Sequence, residues 1–129
     1  MTIYVHKRFD KSFKKMALSD QILLEAAEQV IRDEFEANLG GGVIKKRISL
    51  QEGKRGGART IIFFRFNHHL FFYDGWAKSR VSDKRAKEIE DDQLESYRRL
   101  AKALLKADQE QLNALCKSGF LREVKSNEN

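Results

Sequence analysis

Basic side chains are concentrated in the middle of this chain at a density that suits the binding of a phosphate-rich ligand. Between positions 45 and 59 the sequence has six cations and a single acidic residue, Glu52. The six cations are Lys45, Lys46, Arg47, Lys54, Arg55 and Arg59. Lys78 and Arg80 follow a further hydrophobic segment that ends near Trp76. Cations this dense beside hydrophobic segments are typical of anion-binding proteins, and we expect the anion to be phosphate.

Alternation along the predicted strands indicates which of these cations share a surface. Side chains on a strand point to opposite faces in turn. In the strand predicted over 43–50, Lys45 and Arg47 therefore share one face, and Lys46 points to the other. If the strand predicted over 58–66 lies beside it, Arg59 reaches the face of Lys45 and Arg47.

Four segments can thus bring their cations to one concave basic face. The loop between the two strands carries Lys54 and Arg55, and the third strand, predicted over 69–76, is followed by Lys78 and Arg80. A concave basic surface is the geometry expected of a phosphodiester-binding groove. The alternative interpretation is a solvated sheet edge, where cations prevent unwanted strand pairing.

Apolar spacing along the rest of the chain predicts an α+β protein. The predicted elements are a strand at 2–5, a helix at 9–16, a long helix capped by Ser19 and stopped by the glycines at 40–42, strands at about 43–50, 58–66 and 69–76, an amphipathic helix at about 82–106, a helix capped by Asp108, and a last strand at about 120–124. The strands at 58–66 and 69–76 are expected to form an antiparallel hairpin, and the strand at 58–66, which is apolar on both faces, is expected in the middle of the sheet.

Composition limits the organisation and the location of the protein. A chain of 129 residues with 41% hydrophobic content suits one domain, which we place at 1–124, and the residues at 125–129 read as a disordered tail. The net charge of +6 permits nucleic acid or another acidic partner. The charged amino terminus and the lack of a long apolar run predict a cytoplasmic protein without a membrane partner.

Metal and cofactor chemistry are not indicated by the sequence. Cys116 is the only cysteine, so neither a disulfide nor a cysteine-rich zinc site is possible within the chain. The three histidines, His6, His68 and His69, lack the helical spacing of metal ligands. Trp76 can stack on a base, but an aromatic side chain in so apolar a sheet is more often part of the core.

Three segments in this order resemble a known family. They read Gly-Gly-Gly-Val-Ile-Lys-Lys-Arg, Gly-Lys-Arg-Gly-Gly-Ala-Arg-Thr-Ile-Ile and Phe-Tyr-Asp-Gly-Trp-Ala-Lys-Ser. The chain resembles the RelE/ParE superfamily of type II toxin-antitoxin toxins, in particular its RelE-like and HigB-like branch. The resemblance implies a small antiparallel sheet with two amino-terminal helices packed on it and additional carboxy-terminal helices. It also implies cleavage of messenger RNA on the ribosome and neutralisation by a cognate antitoxin, often a helix-turn-helix protein.

The resemblance also implies roles for individual residues. Arg59 matches the arginine that contacts the scissile phosphate in RelE-like nucleases. Chemically, Lys45 is then the candidate base, while Arg47 or Arg80 holds the phosphates or assists the leaving group. The remaining cations, Lys46, Lys54, Arg55 and Lys78, are predicted to contact RNA. Ala58 stands where an aromatic residue is common, and no residue clearly matches the carboxy-terminal tyrosine or histidine that some members use.

An alternative function uses the same cations without catalysis. ParE-like relatives share the fold but poison DNA gyrase and cleave no RNA, so the fold by itself leaves the activity open. A toxin that binds a target such as gyrase, or a basic nucleic-acid-binding module, therefore remains an alternative to a metal-independent endoribonuclease.

Overall fold

The computed structural model describes residues 1–16, 18–49, 57–77 and 89–125, and these residues form an α+β structure, as predicted. The helices are α1 (Lys7–Ser12), α2 (Asp20–Ile31), α3 (Asp91–Lys106) and α4 (Gln109–Lys117). The strands are β1 (Ile3–His6), β2 (Ala37–Gly40), β3 (Val43–Ile48), β4 (Ala58–Phe63), β5 (Leu70–Ala77) and β6 (Leu121–Glu123).

The strands form one mixed sheet in the order β2-β3-β4-β5-β1-β6. The predicted antiparallel pair of β4 and β5 is confirmed, as is the place of β4 inside the sheet, where Ile61, Ile62 and Phe63 are fully buried. Strand β3 lies antiparallel to β4 on its other side. The small antiparallel sheet implied by the resemblance is corrected, because six strands take part and β1 runs parallel to β5. The remaining pairs are antiparallel.

Helices cover both faces of the sheet. On one face α1 and α2 contribute Phe9, Leu23 and Val30 to a core that also contains Ile62 of β4. On the other face α3 and α4 contribute Tyr97, Leu105 and Leu112 to a second core. The sheet is thus the middle of three layers, and any functional surface on it must lie where a helix leaves it uncovered.

Helix α2 is shorter than predicted. It begins as expected, with the Ser19 hydroxyl accepting a hydrogen bond from the Ile22 amide. Instead of continuing to the glycines at 40–42, it ends at Ile31, because Asp33 adopts a left-handed conformation with φ of 62° and turns the chain away. Aspartate tolerates this conformation better than most residues, so the helix stops without a glycine.

Residues 37–40, which the helical spacing places at the end of that helix, form strand β2. Phe35, Ala37 and Leu39 are partly buried, while the residues between them are exposed. This alternation is the signal of a strand, but the same residues also continue the helical spacing of α2. The glycines at 40–42, with φ of 85°, 65° and 85°, form the turn between β2 and β3 rather than a helix end.

Two other helix boundaries differ from the prediction, and the last two elements agree with it. Helix α1 ends at Ser12 instead of continuing to position 16, because the chain turns at Phe13. Among the described residues helix α3 begins at Asp91, and the part of the prediction over 82–88 lies outside the described residues. Asp108 caps α4 in a capping box, and Gly119 ends it with φ of 85°.

Candidate nucleic-acid interface

Three neighbouring strands place two arginines side by side. Arg47 of β3 and Arg59 of β4 are direct partners in the strand register, and Trp76 of β5 is the partner of Arg59 on its other side. Directly opposed side chains of an antiparallel pair lie about 5 Å apart at their Cβ atoms. The sequence-based expectation that Arg47 and Arg59 share a face is therefore confirmed by the register.

Lys45 completes this surface. It lies two residues before Arg47 on the same face of β3, and its row of the sheet continues through Ile61 to Asp74 of β5. Lys45 and Arg59 are partly buried and Arg47 is exposed. We call the surface formed by Lys45, Arg47 and Arg59 the basic face.

Helix α3 covers the sheet beside the basic face. Leu105 lies at Gly42, where a Cβ added to the glycine would be 2.6 Å from the Leu105 Cδ1 atom. Toward the other end of the helix, the Tyr97 hydroxyl reaches Asp74. The helix thus follows the strands from the β2–β3 turn to the Lys45 and Asp74 row, and the Arg47 and Arg59 pair lies toward its amino-terminal end.

Lys46 does not join the basic face. Its side chain points to the opposite face of the sheet, beneath α2, and the residue is only 7% exposed. A cavity of about 340 Å³ between α2 and β3 is lined by Lys46 and Arg47 together with Glu25, Gln29 and Glu36. This position argues against the predicted contact between Lys46 and RNA. Lys45 and Lys46 are adjacent in β3 and point to opposite faces, so substitutions at the two positions can compare the two faces of the sheet.

Four of the predicted site residues lie outside the described residues. They are Lys54, Arg55, Lys78 and Arg80. The described residues that flank their segments, Ser49, Gly57 and Ala77, adjoin the ends of β3, β4 and β5 next to the Arg47 and Arg59 pair. The strand register therefore supports the predicted convergence of the four basic segments up to the ends of these strands.

A buried carboxylate adjoins the basic face and was missed by sequence reasoning. Asp74 is 5% exposed, and its Oδ2 atom accepts a hydrogen bond of 2.5 Å from the Tyr97 hydroxyl and lies 3.1 Å from the Arg8 Nε atom. Its Oδ1 atom accepts hydrogen bonds from the Ser12 hydroxyl and the Gly75 amide. We call these interactions the Asp74 network.

The Asp74 network holds Arg8 beside the basic face. The Arg8 side chain is 52% exposed, and its guanidinium lies 5.9 Å from the centroid of the Tyr73 ring. Burial lowers the pKa of Arg8, but the charge and hydrogen bond of Asp74 outweigh this effect and raise it. Burial and the hydrogen bond to Asp74 both raise the pKa of the Tyr97 hydroxyl, which therefore stays protonated and donates to the carboxylate.

His6 lies next to this network and makes the stability of the fold depend on pH. Its ring centroid is 4.8 Å from that of Tyr73, and burial lowers its pKa below 6.5, with further lowering by Lys7 and Arg8 against an opposite effect of Asp74. The unfolded chain therefore binds the proton more readily, and the contribution of His6 to stability is lost as the pH falls below about 6.5.

We expect His6→Gln to reduce the loss of stability on acidification. The free energy of unfolding, measured by urea denaturation at several pH values between about 7 and 5, should fall less steeply in this variant than in the wild type. His68→Gln is the matched control, since His68 is exposed. Equal slopes for the wild type and the His6 variant would contradict this assignment.

Trp76 brings a further polar group to the same row. Its indole Nε1 atom is buried and has no hydrogen-bond partner among the residues that the structure describes, although the Trp76 side chain as a whole is partly exposed. A buried donor without an acceptor is unusual in native proteins. It lies beside Arg59 in the register, so the aromatic ring and the guanidinium are neighbours on one surface.

Within the described ranges, no cluster of three or more histidine, cysteine or acidic side chains is arranged to hold a metal ion. In the same ranges, the helices are too short or too polar to cross a bilayer. The cations of the basic face can attract phosphate and stabilise developing negative charge, and Lys45 can take part in proton transfer.

Comparison with known proteins assigns the chain to a family. A family model described as the RelE toxin of the RelE / RelB toxin-antitoxin system matches residues 1–124. The chain belongs to the RelE toxin family. A search of curated proteins found no match to the chain. As a RelE family member the protein is a toxin of a toxin-antitoxin system, and its partner in that system is an antitoxin.

Proposed function

We propose that this RelE family toxin inhibits translation by cleaving messenger RNA on the ribosome, without a metal ion. The observation that carries the proposal is the direct pairing of Arg47 with Arg59 across β3 and β4. Two arginines from neighbouring strands, on the sheet face that also carries Lys45, give a phosphate positive charge from more than one direction. RelE family toxins are generally translation-inhibiting endonucleases, which makes an RNA phosphate the ligand expected here.

The proposed mechanism is attack of a ribose 2′-hydroxyl on the adjacent phosphorus. The reaction needs a base for the hydroxyl, positive charge for the pentacoordinate phosphorane, and an acid for the departing 5′-oxygen. Arg59 is proposed to stabilise the phosphorane, because it is central in the row between Arg47 and Trp76. Lys45 is proposed as the base.

The remaining cations are proposed to position the RNA. Arg47 or Arg80 would hold the phosphates or assist the leaving group, and Lys54, Arg55 and Lys78 would contact neighbouring nucleotides. Arg8 joins this set because Asp74 fixes it beside the basic face while about half of its side chain stays exposed. An arginine fixed by a carboxylate loses less conformational freedom when it binds a phosphate.

Adjacent lysines on opposite faces of β3 provide the test of this function. Lys45→Met is expected to lower the rate of mRNA cleavage about a hundredfold or more, as the loss of a general base does, whereas Lys46→Met should cleave at close to the wild-type rate. Both substitutions remove one positive charge from β3. A difference between their cleavage rates therefore depends on the face of the sheet that the lysine occupies and not on net charge. The measurement is the mapping of new RNA 5′ ends in a reconstituted translation reaction.

Two further conditions in that reaction test the dependence on ribosomes and the independence of transition metals. Cleavage should be phased with codons, be absent from the same RNA without ribosomes, and persist when 1,10-phenanthroline is added to bind transition metals. Translation arrest without new 5′ ends, or equal loss of cleavage in both lysine variants, would contradict the proposal. Growth arrest with intact RNA and translation would instead favour a toxin that binds a target such as gyrase.

The finer classification is also a proposal. We place the chain in the RelE-like and HigB-like branch of the RelE/ParE superfamily, as one domain over 1–124 that acts on ribosomes in the cytoplasm, with a helix-turn-helix antitoxin as its partner. The match of the RelE family model to residues 1–124 supports the domain proposal. The predicted disordered tail at 125–129 lies, apart from Lys125, outside the described residues.

A further inference from the structure

An apolar groove runs between α3 and α4, away from the basic face. Two adjoining cavities of about 570 and 230 Å³ share four lining residues and form one continuous depression. We call it the apolar groove and define it by Leu100, Ala103, Leu104, Ala114, Leu115 and Phe120. Leu100 is 39% exposed and Phe120 is 41% exposed, which is unusual for large apolar side chains on one connected surface.

The shape of the apolar groove suits an amphipathic helix. Its wall on α3 extends from Leu100 to Ala107, a length of roughly 10 Å at the helical rise per residue. That length accommodates about two turns of a docked helix, whose apolar side chains at i, i+3 or i+4, and i+7 would face the groove. Phe120 closes one side and offers an aromatic surface to the occupant.

Positive charge borders the apolar groove. The Lys7 Nζ atom lies 3.9 Å from the centroid of the Phe120 ring. Helical spacing places Arg99 and Lys106 beside Ala103 on α3, and Lys117 beside Ala114 on α4. Two acidic side chains offset part of this charge: Glu95, whose carboxylate lies 3.8 Å from the Arg99 guanidinium, and Glu110, which lies beside Ala114. Lys7, Lys106 and Lys117 keep the described border basic.

This charge selects between two possible occupants. A second copy of the chain would bring another protein of net charge +6 and the same basic border to the groove, and the two borders would repel each other. An acidic segment with an apolar stripe would satisfy both the groove and its border. Since the chain belongs to a toxin-antitoxin family, a dedicated protein partner exists for it to bind.

We infer that the apolar groove is the docking site for an acidic amphipathic helix of the antitoxin. His6 and Tyr73 form the far end of the groove. The Arg8 guanidinium lies over the Tyr73 ring and is ion-paired with Asp74. A helix docked in the groove therefore ends beside the Asp74 network, and the antitoxin chain that continues from it is adjacent to the basic face. The docking proposal rests on the proposed function only for the use of RNA cleavage as a readout.

Leu100→Glu tests the docking site, with Ile31→Glu as its matched control. Ile31 is 38% exposed, also on a helix, but on α2 across the sheet from the groove. The affinity of each purified toxin variant for the purified full-length cognate antitoxin is measured by calorimetry. Leu100→Glu should weaken binding by about 30-fold or more, the loss typical of a central interface residue, and Ile31→Glu should leave it close to wild type.

A second variant and a second readout keep the test decisive if Leu100→Glu folds poorly. Phe120→Ala should weaken antitoxin binding as well, and hydrogen exchange of the wild-type complex should show protection of residues 100–120. Both groove variants should still cleave mRNA when no antitoxin is present, since neither residue belongs to the basic face. Loss of cleavage with normal antitoxin binding would count against the proposed function and not against the docking site.

Three outcomes would overturn the docking proposal. They are wild-type antitoxin affinity in both groove variants, no exchange protection over 100–120 in the complex, and a groove-dependent toxin dimer in light scattering without antitoxin. In the supporting outcome, Lys117→Glu also slows association with the antitoxin and reduces the sensitivity of that rate to salt, because a charge on the border steers an acidic partner.

Discussion

Replacing Arg59 with alanine is expected to lower the rate of mRNA cleavage by about a hundredfold or more, because the donor that stabilises charge on the phosphorane is lost. The fold should survive this change. Arg59 is partly exposed and belongs to neither of the two hydrophobic cores. The measurement is single-turnover cleavage on programmed ribosomes, combined with thermal denaturation of the purified variant.

Arg65→Ala is the matched control for this prediction. Arg65 follows the same strand, β4, at its other end, and it is exposed beside the β2–β3 turn. Its removal costs the same charge and should leave cleavage close to the wild-type rate. Arg59→Lys adds a finer test, since a lysine keeps the charge but lacks the planar fork that binds two phosphate oxygens together. Undiminished cleavage in Arg59→Ala would remove Arg59 from the site.

Replacing Asp74 with alanine is expected to reduce the free energy of unfolding by about 3 kcal/mol, the scale for loss of a buried charged hydrogen-bond acceptor. The Tyr97 hydroxyl accepts a hydrogen bond of 2.8 Å from the Gln93 side chain and donates its own proton to Asp74. Without the carboxylate that buried proton has no acceptor, and Arg8 loses the group that holds it. Urea denaturation of the purified variant measures the effect.

Tyr97→Phe separates the parts of the Asp74 network. It removes only the hydroxyl, so we expect a smaller loss of about 1 to 2 kcal/mol. In the double variant the two losses should not add, because both changes remove the same hydrogen bond. Additive losses would show that the hydrogen bond between Tyr97 and Asp74 contributes little, and a fully stable Asp74→Ala variant would show the same of the whole network. In either case, cleavage by the variants reports whether Arg8 acts on RNA.

The strand predicted over 43–50 is confirmed as β3, and the alternation of side chains along a strand by itself separates Lys45 and Arg47 from Lys46. Strand β2 was missed because Phe35 and Leu39 fit both an alternating pattern and the helical spacing of α2. The choice between them was made by Asp33, whose left-handed conformation ends the helix early.

What the sequence by itself determined is the composition of the basic face and the sidedness of each strand, since side-chain direction within a strand follows from local geometry. Only the tertiary structure decided which strands are neighbours, and hence that Arg47 faces Arg59. It also decided that Asp74, Tyr97 and Arg8 meet, because contacts between residues far apart in the chain leave no local periodicity. The packing of helices on both faces of the sheet and the apolar groove also result from long-range contacts.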